Sequence, residues 1–269
     1  MKPFLKWAGG KRWLMSNHRE LIPEFSGRFI EPFVGSGAVF FTVLPSKGIL
    51  GDYNQELINT YLALKNNPTL VRKHLKAHAE KHSDSYYYQV RSNAPRGIYS
   101  QAARMIYLNR TCFNGLYRVN LRGEFNVPKG TKNTVLLPDD DFSAISSALK
   151  GVTFINDDFE VTLSHYKEGD VIYVDPPYTV KHNNNAFVKY NERIFSWEDQ
   201  ERLANMLTQL AESGAKIVIS NADHAAVRNL YGNTCWIKDS LSRATVLASD
   251  SARRGKTTEL LVRSIACIA

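Results

Sequence analysis

The tetrad Asp175-Pro176-Pro177-Tyr178 is the most specific chemical pattern in the sequence. It directly follows the apolar run Val171–Val174, and ligands of open α/β sheets bind at the carboxyl ends of such strands. Two successive prolines remove two N–H groups, so the carbonyls here can accept hydrogen bonds from a ligand. A carboxylate and a carbonyl that accept from one NH₂ group draw its lone pair out of ring conjugation. The tetrad therefore predicts a site that activates an aromatic amine, with Tyr178 stacked on the ring. The alternative is a proline-rich turn beside a buried tyrosine.

A second pattern lies near the N-terminus, where Gly35 and Gly37 follow the predicted strand 28–33. Glycines at a strand-to-helix turn let a ligand approach the backbone closely. Asp52 follows the next predicted strand, at a position where an acid can hydrogen-bond ribose hydroxyls. Each feature alone is equally well explained as a structural turn or a surface carboxylate. Together they indicate an adenosine-containing ligand, either a dinucleotide or S-adenosylmethionine, and the amine-activating tetrad favours the second.

Short β-rich runs predict the sheet that would position these residues. The predicted parallel strands are 28–33, Gly48–Gly51, Val152–Ile155, Val171–Val174 and 216–220, and two further strands, 235–240 and 259–265, predict an antiparallel pair. A helix is predicted before the fifth strand, with a capping box at Ser196 and Asp199 and a C-terminal Gly214. The fold class is therefore α/β, a mostly parallel doubly wound sheet with an antiparallel edge hairpin.

Residues 57–144 interrupt this alternation and predict an inserted lobe. Helical patterns cover 55–81 and 100–109, and turn signals follow at Asn114-Gly115 and Arg122-Gly123. Between Arg91 and Lys132, eight Lys or Arg residues stand against one acid, Glu124. The predicted domains are a catalytic domain of residues 1–56 and 145–269 and a basic target-recognition insert of residues 57–144 that faces nucleic acid.

Composition narrows the class of protein. The chain has 269 residues and a formal net charge of +8, which fits a polyanionic partner, although many basic proteins bind none. Its three cysteines, Cys112, Cys235 and Cys267, are widely spaced and odd in number, which predicts neither a disulfide framework nor a cysteine zinc site. No metal-ligand motif, signal peptide or membrane span of roughly 18 apolar residues is found. These features predict a soluble cytoplasmic protein without a metal.

Five motifs carry a resemblance to a known family. They read FLKWAGGK from Phe4, EPFVGSG from Glu31, NLRGEFNVP from Asn120, DPPY from Asp175 and ISN from Ile219. In sequence and in order they resemble the Dam-type, α-group family of DNA adenine-N6 methyltransferases, over nearly the whole chain. The resemblance implies the fold of S-adenosylmethionine-dependent methyltransferases. It also implies methyl transfer from S-adenosylmethionine to adenine in double-stranded DNA, with direct in-line attack and no covalent enzyme intermediate. It implies no membrane and no obligate protein partner, and thus a monomer or weak dimer on DNA.

The resemblance also implies roles for individual residues. The catalytic residues are Asp175, Pro176, Pro177 and Tyr178. The cofactor-binding residues are Trp7, Lys11, Phe33, Gly35, Gly37, Asp52, Asp158, Phe159 and Asp175. Asp158 is expected to meet the adenine amine of the cofactor, with the adjacent Asp157 as an alternative. Trp7 has the alternative role of a core anchor, and Lys11 that of a solvated lysine.

A flipped base leaves a gap in the duplex, which such enzymes usually fill. The implied DNA-binding residues are Lys6, Arg110, Phe113, Asn114, Leu116, Arg118, Asn120, Arg122, Pro128, Phe187 and Tyr190. Phe113 matches the intercalating aromatic, and Phe187 and Tyr190 the pair that walls the flipped base. Their alternative is a helix stripe facing the core. Lys6 matches a position that reads the first guanine, and together with Phe113, Leu116, Arg118 and Pro128 it implies the target GATC.

Several recognition roles have alternatives. Arg118 can hold a guanine edge, whereas Leu116 and Pro128 can pack on a thymine methyl. Asn109, Arg110, Asn120 and Arg122 can equally build turns or position phosphates. The segment 250–256, with Arg253 and Arg254, is either a phosphate-binding loop or a solvated one.

The sequence leaves rival functions open. These are methylation of cytosine N4 or of RNA adenine, and a DNA-binding relic without activity. It does not decide between roles in restriction-modification, in a phage or mobile element, or in housekeeping.

Overall fold

Parallel strands make up most of the β-structure in the computed structural model, which describes residues 1–120, 122–179, 195–244 and 256–268. The strands within these ranges are β1 Phe29–Glu31, β2 Gly48–Gly51, β3 Val152–Ile155, β4 Val171–Val174, β5 Lys216–Ala222, β6 Trp236–Ala244 and β7 Lys256–Ser264. The helices are α1 Arg12–Asn17, α2 Phe40–Val43, α3 Gln55–Asn66, α4 Pro68–Lys81, α5 Asp84–Ser92, α6 Ile98–Thr111, α7 Phe142–Ala148, α8 Phe159–Leu163, α9 Trp197–Glu212 and α10 Ala225–Leu230. The α/β class is therefore confirmed.

The chain divides into two units. The first contains Met1–Arg19 and Val34–Asp158, and the second contains Glu20–Phe33 and Phe159–Ala269. The predicted division into a catalytic domain and an insert of residues 57–144 stays a prediction.

In the second unit, β4 pairs in parallel with both β1 and β5. All four residues of β4 are fully buried, as expected for a strand covered on both faces. The predicted antiparallel hairpin is confirmed, because β7 pairs antiparallel with both β5 and β6. The predicted capping box of α9 is also confirmed, since Ser196 Oγ accepts from the Asp199 amide at 3.2 Å and Asp199 Oδ2 accepts from the Ser196 amide at 2.9 Å.

In the first unit, β2 and β3 pair in parallel, from Gly48 opposite Val152 to Gly51 opposite Ile155. Helices α3 to α7 pack together around fully buried tyrosines, among them Tyr61, Tyr87 and Tyr107. The helical pattern predicted over 55–81 forms two helices, because Pro68 lacks the N–H that would continue the first. Asn67 caps the second helix by accepting from the Leu70 amide at 3.0 Å.

Among the described residues, no helix combines the length and the apolar character that crossing a bilayer requires.

Candidate active site and nucleic-acid interface

The tetrad lies in the second unit, at the carboxyl end of β4, as predicted. Ser220 of β5 donates a hydrogen bond from Oγ to Asp175 Oδ1 at 3.0 Å. The carbonyl of Pro177 accepts from Gln200 Nε2 of α9 at 3.1 Å. Hydrogen bonds thus attach the tetrad to the strand and the helix beside it.

Tyr178 is suited to packing rather than to proton transfer. Burial, and then the nearby charge of Asp175, raises the pKa of Tyr178 well above its ordinary value. The phenol therefore stays protonated at neutral pH. Its ring remains the part of the side chain that could contact a planar base.

The glycine turn of the first unit forms as predicted. Gly35 and Gly37 have φ values of +46° and +65°, a region that favours glycine. A Cβ added to Gly35 would lie 2.7 Å from Trp7 Cδ1, so the indole packs directly against the turn. Trp7 in turn stacks on Tyr117, with ring centroids 5.3 Å apart and planes at 22°. The structure therefore places the Trp7 ring next to both the glycine turn and Tyr117, a residue of the predicted insert.

Asp52 follows β2 and is bonded to this turn. Its Oδ2 accepts from the Gly35 amide at 3.1 Å, and its Oδ1 accepts from the Asn54 amide at 2.9 Å. Burial raises the pKa of Asp52 to about 6, although these two backbone donors oppose the shift. The turn takes backbone angles that favour glycine. A carboxylate beside such a turn is suited to hydrogen-bond the ribose hydroxyls of an adenosine-type ligand.

Two further predicted cofactor residues lie in the first unit. Lys11 is only 3% exposed, and its Nζ donates to the Gly9 carbonyl at 2.8 Å. The alternative of a solvated lysine is therefore wrong. The amide of Asp158 donates to Asp157 Oδ1 at 2.7 Å, while Asn156 Nδ2 donates to the Asp52 carbonyl at 3.0 Å. Asn156, which the sequence did not single out, thus connects the chain after β3 to the end of β2.

Phe33 and Phe159, the remaining predicted cofactor residues, lie in the second unit. Their ring centroids are 5.7 Å apart, and Phe195 contacts both at 5.4 and 5.8 Å. Phe195 was missed by the sequence analysis. Its signal is its place directly before the cap Ser196, where an apolar residue often packs against the following helix.

Phe113 occupies an exposed position after α6, with 51% of its surface accessible. Large aromatic side chains are usually buried, so this exposure needs a reason. Its amide donates to the Pro128 carbonyl at 2.9 Å, and the following Asn114 has a φ of +55°. The structure therefore groups three predicted DNA-binding residues, Phe113, Asn114 and Pro128.

Asn109 connects Lys6 to this group. Asn109 is 2% exposed, accepts from the Lys6 amide at 2.8 Å and donates to the carbonyls of Lys6 at 2.8 Å and Gly115 at 3.0 Å. The Lys6 side chain packs against Gly115, where an added Cβ would meet Lys6 Cδ at 2.8 Å. Residues a hundred positions apart in sequence are thus held side by side. Sequence patterns gave no signal for this, because Asn109 contacts distant backbone.

A short hairpin carries the next predicted residues. Asn120 donates its amide N–H to the Glu124 carbonyl at 2.9 Å, and the Asn126 amide donates to the Arg118 carbonyl at 3.1 Å. Arg118 is exposed, with Nε donating to Asn126 Oδ1 at 2.8 Å. The Asn120 side chain accepts from the amides of Arg122 at 2.9 Å and Glu124 at 3.0 Å. Asn120 therefore builds the turn, which was the alternative to base contact, and Arg122 remains exposed.

Arg110 corrects the predicted DNA-binding set. Its guanidinium is 5% exposed and bonds both oxygens of Asp140, at 2.6 and 2.7 Å, as well as the carbonyls of Val135 and Phe4. Arg104 is likewise buried and paired with Glu56 at 3.4 Å. These buried cations belong to the packing of the lobe, so contact of Arg110 with DNA does not fit its position.

Some predicted residues lie outside the described residues. These are Phe187, Tyr190, Leu121 of the NLRGEFNVP motif, and Arg253 and Arg254 of the segment 250–256. Their roles stay predictions.

Comparison with known proteins gives the family of the chain. Residues 7–245 match the D12 class of N6 adenine-specific DNA methyltransferases. The Type II methyltransferase M1.LlaDCHI of Lactococcus lactis subsp. cremoris is 37% identical over 271 residues, covering 97% of this chain and 95% of that protein. The DNA adenine methylase of Serratia marcescens is 35% identical over 265 residues, covering 97% of both chains. The Type II methyltransferase M.MjaIII of Methanocaldococcus jannaschii is 33% identical over 285 residues, covering 97% of this chain and 98% of that protein. The chain therefore belongs to the D12 class of N6 adenine-specific DNA methyltransferases, which use S-adenosylmethionine.

Proposed function

We propose that this enzyme methylates a flipped adenine in double-stranded DNA at the sequence GATC. The observation that carries the proposal is the exposed Phe113, grouped with Pro128 and connected through Asn109 to Lys6. An exposed aromatic ring beside cationic and amide side chains is suited to enter the gap that a flipped base leaves. Membership of the adenine-specific class removes the rival activities on cytosine N4 and RNA adenine.

The tetrad supplies the chemistry at the target amine. Asp175 and the Pro176 carbonyl each accept a hydrogen bond from the N6 amine, which localises the nitrogen lone pair. Tyr178 stacks on the base. When bound, S-adenosylmethionine supplies the electrophilic methyl group and takes the electron pair of the broken C–S bond. The amine must lose one proton as the N–C bond forms. The Asp175 carboxylate holds that proton before it passes to water.

Four residues read the bases in this proposal, namely Lys6, Leu116, Arg118 and Pro128. Lys6 contacts the first guanine, and Arg118 grips a guanine edge through its exposed guanidinium. Leu116 and Pro128 pack on a thymine methyl. The side-chain amine of Lys132 lies near that of Lys6, and this neighbouring amine, together with burial, lowers the pKa of Lys6. Two lysine side chains this close together favour a negatively charged partner at this surface.

Methylation of a random-sequence DNA pool, read by modification-sensitive sequencing, tests the proposed target. GATC is expected to dominate the modified sites. A different or longer motif would overturn the assignment of Lys6, Arg118, Leu116 and Pro128, and would leave the reaction untouched. A variant with Phe113 replaced by alanine is expected to keep the same motif and to lose rate on duplex DNA more than on DNA with a mismatched target adenine, which flips more easily.

Cofactor affinity is expected to depend on pH through Asp52. With a pKa of about 6, Asp52 is ionised above that pH and can accept from two ribose hydroxyls. Below pH 6 it is protonated, and we expect affinity to fall by up to about tenfold per pH unit. Calorimetry with S-adenosylhomocysteine between pH 5 and 8 measures this. The control Asp52→Asn should bind weakly and without this pH dependence; an unchanged dependence would contradict the assignment.

Replacing Asn109 by aspartate is expected to weaken the contact between Lys6 and Gly115, and with it the preference for the target sequence. The carboxylate cannot donate to the carbonyls of Lys6 and Gly115, so both hydrogen bonds become contacts between acceptors. We expect the preference for GATC over a single-mismatch site to fall by about tenfold. Competition binding measures it. Asn93→Asp, directly after the end of α5, makes the same change of charge and loses one hydrogen bond to the Gln89 carbonyl, so it should retain the preference. Equal losses in both variants would refute a positioning role.

A further inference from the structure

Two consecutive residues of β5, Ser220 and Asn221, are fully buried, and each begins a hydrogen-bond chain that ends on the tetrad. Successive side chains of a strand point to opposite faces of the sheet. Ser220 donates to Asp175 at 3.0 Å. Asn221 Nδ2 donates to Gln200 Oε1 at 3.1 Å, and Gln200 Nε2 donates to the Pro177 carbonyl at 3.1 Å. A single strand therefore holds both the carboxylate and the backbone of the tetrad.

The direction of the first chain is fixed by the hydrogens available. A serine hydroxyl has one hydrogen and a carboxylate only accepts, so the hydrogen of Ser220 goes to Asp175. Tyr173, whose hydroxyl lies 2.8 Å from Ser220 Oγ, must then donate to Ser220. Burial raises the pKa of Tyr173 well above its ordinary value, so this phenol keeps its proton. Two donors in series therefore point toward the carboxylate and fix its rotation.

The second chain is fixed in the same way. Gln200 must present its N–H₂ to Pro177 and its oxygen to Asn221, and Asn221 Oδ1 accepts from the Ala222 amide at 2.8 Å. The backbone amide of Gln200 also bonds the carbonyl of Ser196 in the first turn of α9. No rotation of either amide preserves the chain, because every rotation would place two donors or two acceptors together.

We propose that Ser220 and Gln200, supported by Tyr173 and Asn221, are positioning residues that fix the two hydrogen-bond acceptors of the tetrad against the target amine. This inference rests on the catalytic role proposed for Asp175. It explains why polar side chains occupy the fully buried end of a strand, where apolar ones would avoid the cost of desolvation. It also gives a chemical role to the motif Ile219-Ser220-Asn221.

The charges around Asp175 make the Ser220 contact measurable through pH. Glu31 of β1 and Glu259 of β7 are buried and interact electrostatically with Tyr173, while Asp175 and Glu259 interact with Tyr178. Neighbouring carboxylates oppose ionisation of one another, whereas a hydrogen bond donated to a charged carboxylate favours it. Removing the Ser220 hydroxyl should therefore raise the pKa of Asp175.

The test compares two serines that are both fully buried. Ser220→Ala removes the donor to Asp175, whereas Ser264→Ala removes a hydroxyl that bonds the Ala215 carbonyl and the Ile217 amide, at the amino end of β5. We expect Ser220→Ala to lower kcat about ten- to a hundredfold, the range for a lost hydrogen bond to a charged group. KM for DNA and for S-adenosylmethionine should change less than about threefold. The acid limb of the kcat profile should move up by about one pH unit. Ser264→Ala should lower the melting temperature without these kinetic effects.

Tyr173→Phe removes only the outer donor, so it should change kcat and the acid limb in the same direction by less. It serves as the second variant if Ser220→Ala fails to fold. Kinetic parameters for Ser220→Ala or Tyr173→Phe that match those of Ser264→Ala would overturn the proposal. Asp175→Asn, measured alongside, separates the two levels of inference. If it retains wild-type turnover, the role of Asp175 fails; if it is inactive while Ser220→Ala behaves normally, only the positioning role fails.

Discussion

Replacing Asp175 by asparagine is expected to lower the rate of methyl transfer by at least about a thousandfold, because the variant loses both an acceptor and a proton-holding group. Asparagine keeps the size of the side chain and an oxygen toward which Ser220 can donate. Its NH₂ group, however, cannot accept from the N6 amine or hold the released proton. Asp175→Ala should be at least as inactive and largely folded. Single-turnover transfer of labelled methyl to duplex DNA measures both.

A matched control lies at the other end of the same strand. Asp170 precedes β4, is buried and pairs with Arg28 at 2.6 Å. Asp170→Asn weakens this ion pair, so the variant should unfold at lower temperature and, below that temperature, turn over near the wild-type rate. Wild-type turnover by Asp175→Asn, or equal loss of turnover in both variants, would exclude the proposed role of Asp175.

The contrast between these aspartates shows what the sequence could predict. The bounds predicted for β2, β3 and β4 match the structure, because each strand is a short β-rich run bounded by glycine or polar residues. Position after β4 then distinguishes Asp175 from Asp170. β6 continues to Ala244 instead of ending at 240, and β7 begins at Lys256 instead of 259, since cross-strand pairing rather than hydropathy sets these two ends.

Helix α5 was missed for a related reason. Ser83 precedes this helix and caps it, since its hydroxyl oxygen accepts from the Tyr86 amide at 3.2 Å. The helix contains three consecutive tyrosines. Aromatic residues have modest helix propensity and mask the apolar stripe. Tyr87 is fully buried and donates to the Val127 carbonyl at 2.9 Å, so tertiary contacts stabilise this helix. A contact with a residue forty positions away cannot be seen in local sequence.

The basic stretch from Arg91 to Lys132 shows that local sequence also fails to give the contacts of the candidate site. Its eight cations predicted a nucleic-acid surface, but a count of charges does not separate exposed cations from buried ones. Arg104 and Arg110 are buried with carboxylate partners, and Lys129 lies 3.1 Å from Asp84. The partners Glu56, Asp84 and Asp140 lie outside the stretch, where the count did not include them. The exposed basic surface is therefore smaller than the count of charges predicted, and Arg110 and Arg118 offer a direct test of which cations contact DNA.

Alanine substitutions at Arg110 and Arg118 are expected to affect different quantities, the first stability and the second discrimination between bases. Arg110→Ala leaves Asp140 buried without its bidentate partner, so unfolding free energy should fall by about 3–5 kcal/mol. Arg118→Ala removes an exposed guanidinium, so stability should change by less than about 0.5 kcal/mol. Its loss should instead lower discrimination at one guanine by about 1–3 kcal/mol. Urea unfolding and competition binding measure the two quantities. Because both variants lose the same charge, a general electrostatic effect on DNA would weaken binding equally; unchanged stability in Arg110→Ala would return that residue to the DNA-binding set.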